Sequence, residues 1–355
     1  MSITAIEAPV FYNETAFNRL NEYLKKSNPS KIFILVDTHT HIHCLSSFMA
    51  LLQNEAETEV IEMEAGEEFK NLETCMGVWS TLSDLDADRK SLMINLGGGV
   101  VTDLGGFVAS TFKRGISYIN VPTSLLSMVD ASVGGKTGVD LGSLKNQIGV
   151  INQPEMVLIN TSFLISLPGN EMRSGLAEIM KHGLIKSKDY WKKVTSLDQL
   201  GLEDLDDIIA ESVRIKKDIV SQDPTEKGLR KTLNYGHTLG HAIESYFLSH
   251  KDKKTLLHGE AIAIGMILAT YISKELKGFP ENTLNEINSS IKDIFGKVDF
   301  ESPDIEKIIE LMKFDKKNER GNINFVLLED IGKPVIDCIV PNELIKNAFD
   351  FYSKP

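Results

Sequence analysis

The chain has 355 residues, 42% of them hydrophobic and 25% charged, the make-up of a folded protein with room for two cores and unlike that of a disordered or fibrous chain. Its 38 basic and 50 acidic residues leave a net charge of −12, which argues against a nucleic-acid partner, whose phosphates demand a basic face. The balance reverses locally: from Ser91 to Val150 three acids (Asp103, Asp130, Asp140) meet four bases (Lys113, Arg114, Lys136, Lys145), so a glycine-rich stretch suited to a small anion lies inside an acidic chain.

In chain order, Phe17 to Leu24 has helical spacing, and Ile32 to Val36 (IFILV) is a continuous apolar run closed by Asp37. His39, His41 and His43 alternate after it and read as loop residues without catalytic duty. Leu45 to Leu52 and Phe69 to Leu82 return to helical spacing. Leu92 to Leu96 (LMINL) is a second apolar run, closed by Gly97-Gly98-Gly99 and followed by the helical stretch Val100 to Ser110. Tyr118 to Val121, stopped by Pro122, and Met156 to Ile159 are further strands. Continuous apolar runs predict strands buried on both faces, as in a parallel sheet, and their alternation with helices predicts an α/β, Rossmann-like domain.

After Thr161 the pattern changes. Glu171 to Lys186, Leu205 to Ser221, Thr232 to Leu248 and Gly259 to Leu276 all run at helical period, and only a strand-like pair, Ile323 to Leu328 and Pro334 to Ile339, interrupts the helices. This predicts a first domain over residues 1–160 and a mainly helical second domain over 161–355. With no linker between them, the two are expected to share a cleft. Ala261 to Ile272, the longest apolar stretch, is too short to span a bilayer and reads as a buried helix. Cys44, Cys75 and Cys338 form no CxxC pattern, and no signal-peptide pattern opens the chain, so a cytoplasmic protein with reduced thiols is expected.

The strand, glycine turn and helix at Leu92 to Ser110 is a dinucleotide-binding pattern. Glycines let the backbone approach a pyrophosphate and the helix N-terminus favours its charge. The match to GxGxxG is imperfect, with Thr102 in place of the third glycine. Asp37 is placed to accept from ribose hydroxyls, although an acid there also serves as a helix cap.

The metal signal lies in the second half. LNYGHTLGHAIE puts His237 and His241 four apart on one helical face, LLHGEAIAIG opens a helix at His258, and GLAEIMKHGLI carries Glu178 with Lys181 one turn later. Two or three of these histidines with Glu178 match a catalytic zinc site, which takes three protein ligands and keeps a position open. An isolated HxxxH pair is more commonly a hydrogen-bonded pair of histidines. The DASVGGKTG loop around Lys136 is reminiscent of a phosphate-binding loop but lacks its GxxxxGK[ST] spacing. Lys145, Asn146, Lys216 and Arg230 add possible anion donors.

Taken together, GGGVVTDLGGFVAS, KRGISYINVPTSLLSMVDASVGGKTGVD, LKNQIG, SGLAEIMKHGLI, GLRKTLNYGHTLGHAIE and HGEAIAIGM occur in an order that closely resembles the 3-dehydroquinate synthases, a sugar-phosphate cyclase family, from about Lys31 to Val340. The resemblance implies an N-terminal NAD-binding domain, a C-terminal helical metal domain and a homodimer. It implies Glu178, His237 and His258 as ligands of Zn²⁺ or Co²⁺, with His241 a substrate and proton-transfer residue instead of a ligand. Asp130, Lys136, Asn146, Lys181, Lys216, Arg230 and Asn234 match substrate positions, joined by Lys145 and by Lys316 or its neighbour Lys317, and Arg114 matches an arginine lent across the dimer. Asp37, Glu67, Lys70, Gly98, Gly99, Val100, Asp103, Thr123, Ser124, Phe163 and Ser166 match NAD positions, with Lys136 and Lys145 shared between the two sets. Ser124 replaces a usual threonine, and Leu248 to Leu257 is longer than usual.

The activity so implied converts 3-deoxy-D-arabino-heptulosonate 7-phosphate to 3-dehydroquinate and phosphate, in the shikimate pathway. It proceeds by transient NAD-dependent oxidation, phosphate elimination, reduction, ring opening and aldol closure. A related cyclase of the valiolone or inosose type is the alternative. Its substrates lack the carboxylate that Arg230 and Lys216 would meet. A polyol dehydrogenase and a non-catalytic NAD or metal sensor are rivals that leave the phosphate-directed residues without purpose.

Overall fold

The computed structural model describes residues 7–142, 144–196, 202–250, 253–312 and 323–354. The chain divides into two compact units, Met1–Pro168 and Gly169–Pro355.

The first unit runs β1 (Val10–Tyr12), α1 (Asn13–Ser27), β2 (Ile32–Asp37), α2 (Thr38–Thr40), a π-turn at His41–Leu45, α3 (Ser46–Leu51), β3 (Thr58–Met63), α4 (Leu72–Asp84), β4 (Leu92–Gly97), α5 (Gly99–Thr111), β5 (Ser117–Pro122), β6 (Lys136–Leu141), β7 (Leu144–Ile151) and β8 (Val157–Ile159). Six strands form one parallel sheet in the order β1-β8-β5-β4-β2-β3. The apolar runs at β2 and β4 are buried along their length, as a parallel sheet covered on both faces requires. Phe33, Leu35 and Met93 meet Val101, Leu104 and Val108 of α5 in the core, each such side chain worth about 1.5–3 kcal/mol when fully buried.

Two details depart from the sequence reading. His39, His41 and His43 lie in helical backbone and not in a loop. The cause is a reciprocal cap: Thr40 N–H donates to Asp37 Oδ1 at 2.8 Å and Asp37 N–H to Thr40 Oγ1 at 2.9 Å, which starts the helix at once. The DASVGGKTG stretch, read as a glycine-rich loop, runs straight into the antiparallel hairpin of β6 and β7. There Gly138 and Gly149 stand opposite each other, and a Cβ on either would lie 2.3–2.4 Å from the facing carbonyl oxygen.

The second unit runs α6 (Gly169–Lys186), α7 (Lys188–Thr195), α8 (Leu202–Gln222), a 3-10 turn at Leu229–Asn234, α9 (His237–Ser249), α10 (His258–Lys277), α11 (Glu281–Phe295), α12 (Ser302–Leu311), β9 (Asn324–Asp330), β10 (Lys333–Ile339) and α13 (Asn342–Ser353). Helix α10 is its core, buried from Ala261 to Thr270 and packed by α6, α9, α11, α13 and β9. No described helix is long and apolar enough to cross a membrane. Helices α9 and α10 approach through glycine: a Cβ on Gly265 would sit 2.1 Å from the Gly236 carbonyl oxygen. Likewise a Cβ on Gly259 would sit 2.1 Å from the Ser174 carbonyl oxygen of α6. These contacts draw three helices together around the histidines.

Candidate active site

In the first unit the chain leaves β2 for β3 on one side and returns through β4 to build the other side. The ends of β2 and β4, at Asp37 and Gly97, therefore mark the switch point where open α/β sheets bind ligands. Packing requires two of the glycines nearby. A Cβ on Gly97 would lie 2.5 Å from Val101, and one on Gly105 would lie 2.0 Å from Asn95 Oδ1. Gly105 thus supplies the close helix–sheet approach expected of the third motif glycine. Gly98 and Gly99 are different: a Cβ there would meet only Ser124 Oγ or Ala131 at 3.4 Å. Their bare backbone, half-exposed at an α5 N-terminus with no acid in its first turn, is open to a pyrophosphate.

Several predicted NAD residues gather here. Buried Lys70 donates to Asp103 Oδ2 at 2.6 Å and to Asn146 Oδ1 at 2.7 Å. Burial alone would lower its pKa, but Asp103 and Glu67 raise it above the ordinary lysine value. Lys145 pairs with Glu67 at 2.7 Å. Asp37, Thr123 and Ser166 lie around Cys44, whose thiol is pushed up to about 11 by burial and by Asp37. Thr123 and Phe163 are buried, Ser166 is exposed, and Val100, Ser124, Asp130 and Lys136 are half-buried. Arg114 is exposed on a turn with φ of 70°. Lys316 and Lys317 lie outside the described residues.

In the second unit Glu178 Oε1 lies 3.3 Å from His237 Nε2 and 3.4 Å from His258 Nε2. It is buried without a hydrogen-bond partner. Donor atoms about 2.1 Å from a tetrahedral ion are separated by roughly 3.4 Å, so these two separations match the edges of a zinc site. The rings of His237, His241 and His258 lie 5.1–5.7 Å apart between centroids, and a nitrogen from each falls within 4.8 Å of the others. His237 is turned by its Nδ1–H, 3.1 Å from the Tyr235 carbonyl, which leaves Nε2 to face Glu178. His258 Nδ1 lies 3.1 Å from Glu244 Oε2.

The charges fit a cation. Burial favours a protonated Glu178, but Lys181, in direct contact with it, and His237 hold its carboxyl well below the usual range. Burial would depress His258, yet Glu244 and Glu178 raise its imidazole to about 10 in the metal-free chain. A divalent ion held by these residues would take the place of that proton.

Arg230 and Asn234 do not share a helical face, as their spacing predicts for an α-helix. Gly236 turns the chain at φ 77°, where a Cβ would meet Met266, and the preceding segment is a 3-10 turn with three residues per repeat. Arg230 is 3% exposed, so it is no solvated surface charge. Its guanidinium donates to the Pro224 carbonyl at 2.9 Å and its N–H to Asp223 at 3.0 Å. Asn234 donates to Glu226 at 2.8 Å. Lys216 is buried on α8, which packs on the same turn. Asp223, Glu226, Tyr235 and Glu244 escaped the sequence reading, because their partners are set by turns and neighbouring helices that no local spacing encodes.

Residues 60–174 match the family described as 3-dehydroquinate synthase N-terminal, and residues 175–318 the one described as 3-dehydroquinate synthase C-terminal. The chain is 41% identical over 337 residues to the 3-dehydroquinate synthase of Parabacteroides distasonis, covering 94% of this chain and 95% of that one. Among solved structures it resembles a 2-deoxy-scyllo-inosose synthase complexed with carbaglucose-6-phosphate, NAD⁺ and Co²⁺, at 26% identity, with a TM-score of 0.82 and 96% and 95% of the two chains covered. It also shares the fold of the 2-epi-5-epi-valiolone synthase of Streptomyces hygroscopicus with NAD⁺ and Zn²⁺ bound. That match has 23% identity, a TM-score of 0.86 and 99% and 98% coverage.

Proposed function

The chain belongs to the 3-dehydroquinate synthase family, and from that premise we propose how its residues divide the work of the reaction. The enzyme converts 3-deoxy-D-arabino-heptulosonate 7-phosphate to 3-dehydroquinate and phosphate, using NAD and a divalent metal. The fold is shared with carboxylate-free cyclases, but 41% identity across the chain favours the dehydroquinate activity over relatives at 26% and 23%. Buried Arg230 supports the same choice, since a planar fork kept from water suits a substrate carboxylate.

The observation that carries the chemistry is the triangle of Glu178, His237 and His258, which we assign as the metal ligands. When bound, NAD⁺ and the divalent ion supply hydride acceptance and return, and Lewis-acid polarisation of the substrate hydroxyls. The chain's own residues bind and orient. Arg230 and Lys216 hold the carboxylate. Lys136, Asn146, Arg114, Asn234 and His241 hold the phosphate, with Asp130 and Lys145 among the residues that contact substrate. Asn146 gives its Oδ1 to Lys70 and so offers an anion its two N–H donors. Lys181 balances the charge of Glu178, and His241 moves a proton at the substrate. Asp37, Glu67, Lys70, Gly98, Gly99, Val100, Asp103, Thr123, Ser124, Phe163 and Ser166 hold the nucleotide.

The exposed Arg114, held at a left-handed φ, supports a homodimer in which it serves the neighbouring site. Three buried, unpaired thiols support a cytoplasmic setting. The test of the substrate class is a side-by-side assay of the heptulosonate phosphate and the carboxylate-free sugar phosphates. Equal or greater efficiency on the latter overturns the dehydroquinate reading.

A further inference from the structure

The two histidines of the triangle are oriented by different devices. His237 leans on a backbone carbonyl, that of Tyr235, which no substitution removes. His258 has no such carbonyl partner among its described contacts. It opens α10, keeps 26% of its side-chain surface exposed, and its Nδ1 faces a carboxylate from another helix. We infer that Glu244 is a positioning residue for the metal site, fixing the tautomer and the direction of His258.

The sequence places Glu244 for this task. His237, His241 and Glu244 fall at i, i+4 and i+7 on α9, one face of one helix. Glu244 is buried, and its Oε2 lies 3.1 Å from His258 Nδ1. An ionised carboxylate only accepts, so the proton of a neutral ring bonded to it sits on Nδ1 and the Nε2 lone pair is left facing Glu178 Oε1, 3.4 Å away. The main chain beside the ring is held separately: Gly259 N–H donates to Ser174 Oγ at 2.9 Å, one turn before Glu178 on α6. Ser174 thus sets where His258 starts, and Glu244 sets where its ring points. Glu244 is not itself a fourth ligand, because it sits on the Nδ1 edge while an ion shared with Glu178 lies off Nε2.

The inference rests on the reading of His258 as a ligand, and the experiment separates the two. Zinc affinity of the metal-free full-length protein is measured by competition with a chromophoric chelator, for Glu244→Met, Glu244→Gln and His258→Ala. Methionine keeps the length of the side chain but cannot accept the bond; it is expected to weaken zinc about 10- to 100-fold, as losing an outer carboxylate partner does. Glutamine still accepts through its amide oxygen and is expected to keep most of the affinity, which a purely electrostatic role for Glu244 would not allow. NAD⁺ affinity is expected to stay unchanged in both. Zinc binding at wild-type strength in Glu244→Met, with the metal lost in His258→Ala, overturns the positioning role alone. Wild-type binding in both overturns the ligand reading itself. Should Glu244→Met fail to fold, heteronuclear histidine spectra of the zinc-loaded wild type decide: a proton on Nδ1 of His258 supports the inference, and a proton on Nε2 contradicts it.

Discussion

Glu178 and His237 approach within 3.3 Å, Oε1 to Nε2, from two helices far apart in the chain. The carboxylate oxygen is buried without a hydrogen bond, and the imidazole is turned toward it by its other nitrogen. Buried polar atoms are rarely left in this state unless a further group completes them. This relationship carries the metal assignment, and His258 repeats it at 3.4 Å.

Removing the carboxylate separates the metal role of Glu178 from its structural one. Lys181 is 1% exposed and contacts Glu178 directly. Glu178→Gln leaves the ammonium buried against a neutral amide, a change that costs about 3–5 kcal/mol in comparable pairs. The thermal midpoint of the metal-free protein should fall sharply. Adding Lys181→Met should recover most of that loss without restoring zinc binding. Zinc-dependent turnover surviving in Glu178→Gln would remove Glu178 from the ligand set.

The pH dependence follows from His258. Its imidazole titrates near about 6.5 in an unfolded chain and at about 10 in the folded, metal-free protein, where Glu244 and Glu178 outweigh burial. A raised folded value stabilises the fold fully below the unfolded value, and the contribution is lost as pH rises through about 10. The chelated protein should therefore lose thermal stability between pH of about 6.5 and about 10. Zinc binding at a pH of about 8 should release about one proton, read by calorimetry in buffers of different ionisation enthalpy. No proton release would contradict the assignment.

Arg230→Lys tests the carboxylate contact. Losing a buried charge-assisted pair costs roughly 2–5 kcal/mol, or about 30-fold or more in kcat/KM. The loss should appear with the heptulosonate phosphate and be small with a carboxylate-free sugar phosphate. Equal losses on both substrates would mean that Arg230 acts through the turn it ties to Pro224 and Asp223.

Lys70→Met tests the nucleotide half. The variant removes the donor shared by Asp103 and Asn146. With charged hydrogen bonds worth about 1.5–3 kcal/mol, NAD⁺ should bind about 10- to 100-fold more weakly by fluorescence titration. Zinc affinity should not change. An unaltered NAD⁺ affinity would remove Lys70 from the nucleotide site.

What was legible in the sequence follows physical range. Continuous apolar runs at Ile32–Val36 and Leu92–Leu96 announced the buried parallel strands, because burial on both faces leaves no polar alternation to read. The helical pair His237 and His241 was equally plain. The hairpin of β6 and β7 was hidden, because its facing glycines, Gly138 and Gly149, carry no side chains to alternate. The helical reading from Thr232 failed at Gly236, a left-handed turn packed so closely on Met266 of another helix that a Cβ has no room. Glu244 and Ser174 were invisible for the same reason: their partners arrive from other helices.

A 3-dehydroquinate synthase oxidises and re-reduces its substrate within one turnover, so NAD is used and regenerated. The direct measurement combines purified protein, Zn²⁺, the heptulosonate phosphate and NAD⁺ well below the substrate concentration, following inorganic phosphate and NADH together. Phosphate should be released until the substrate is exhausted, far beyond the NAD⁺ supplied, with no net NADH. NADH accumulating in step with product, and phosphate release stopping when NAD⁺ runs out, would contradict it.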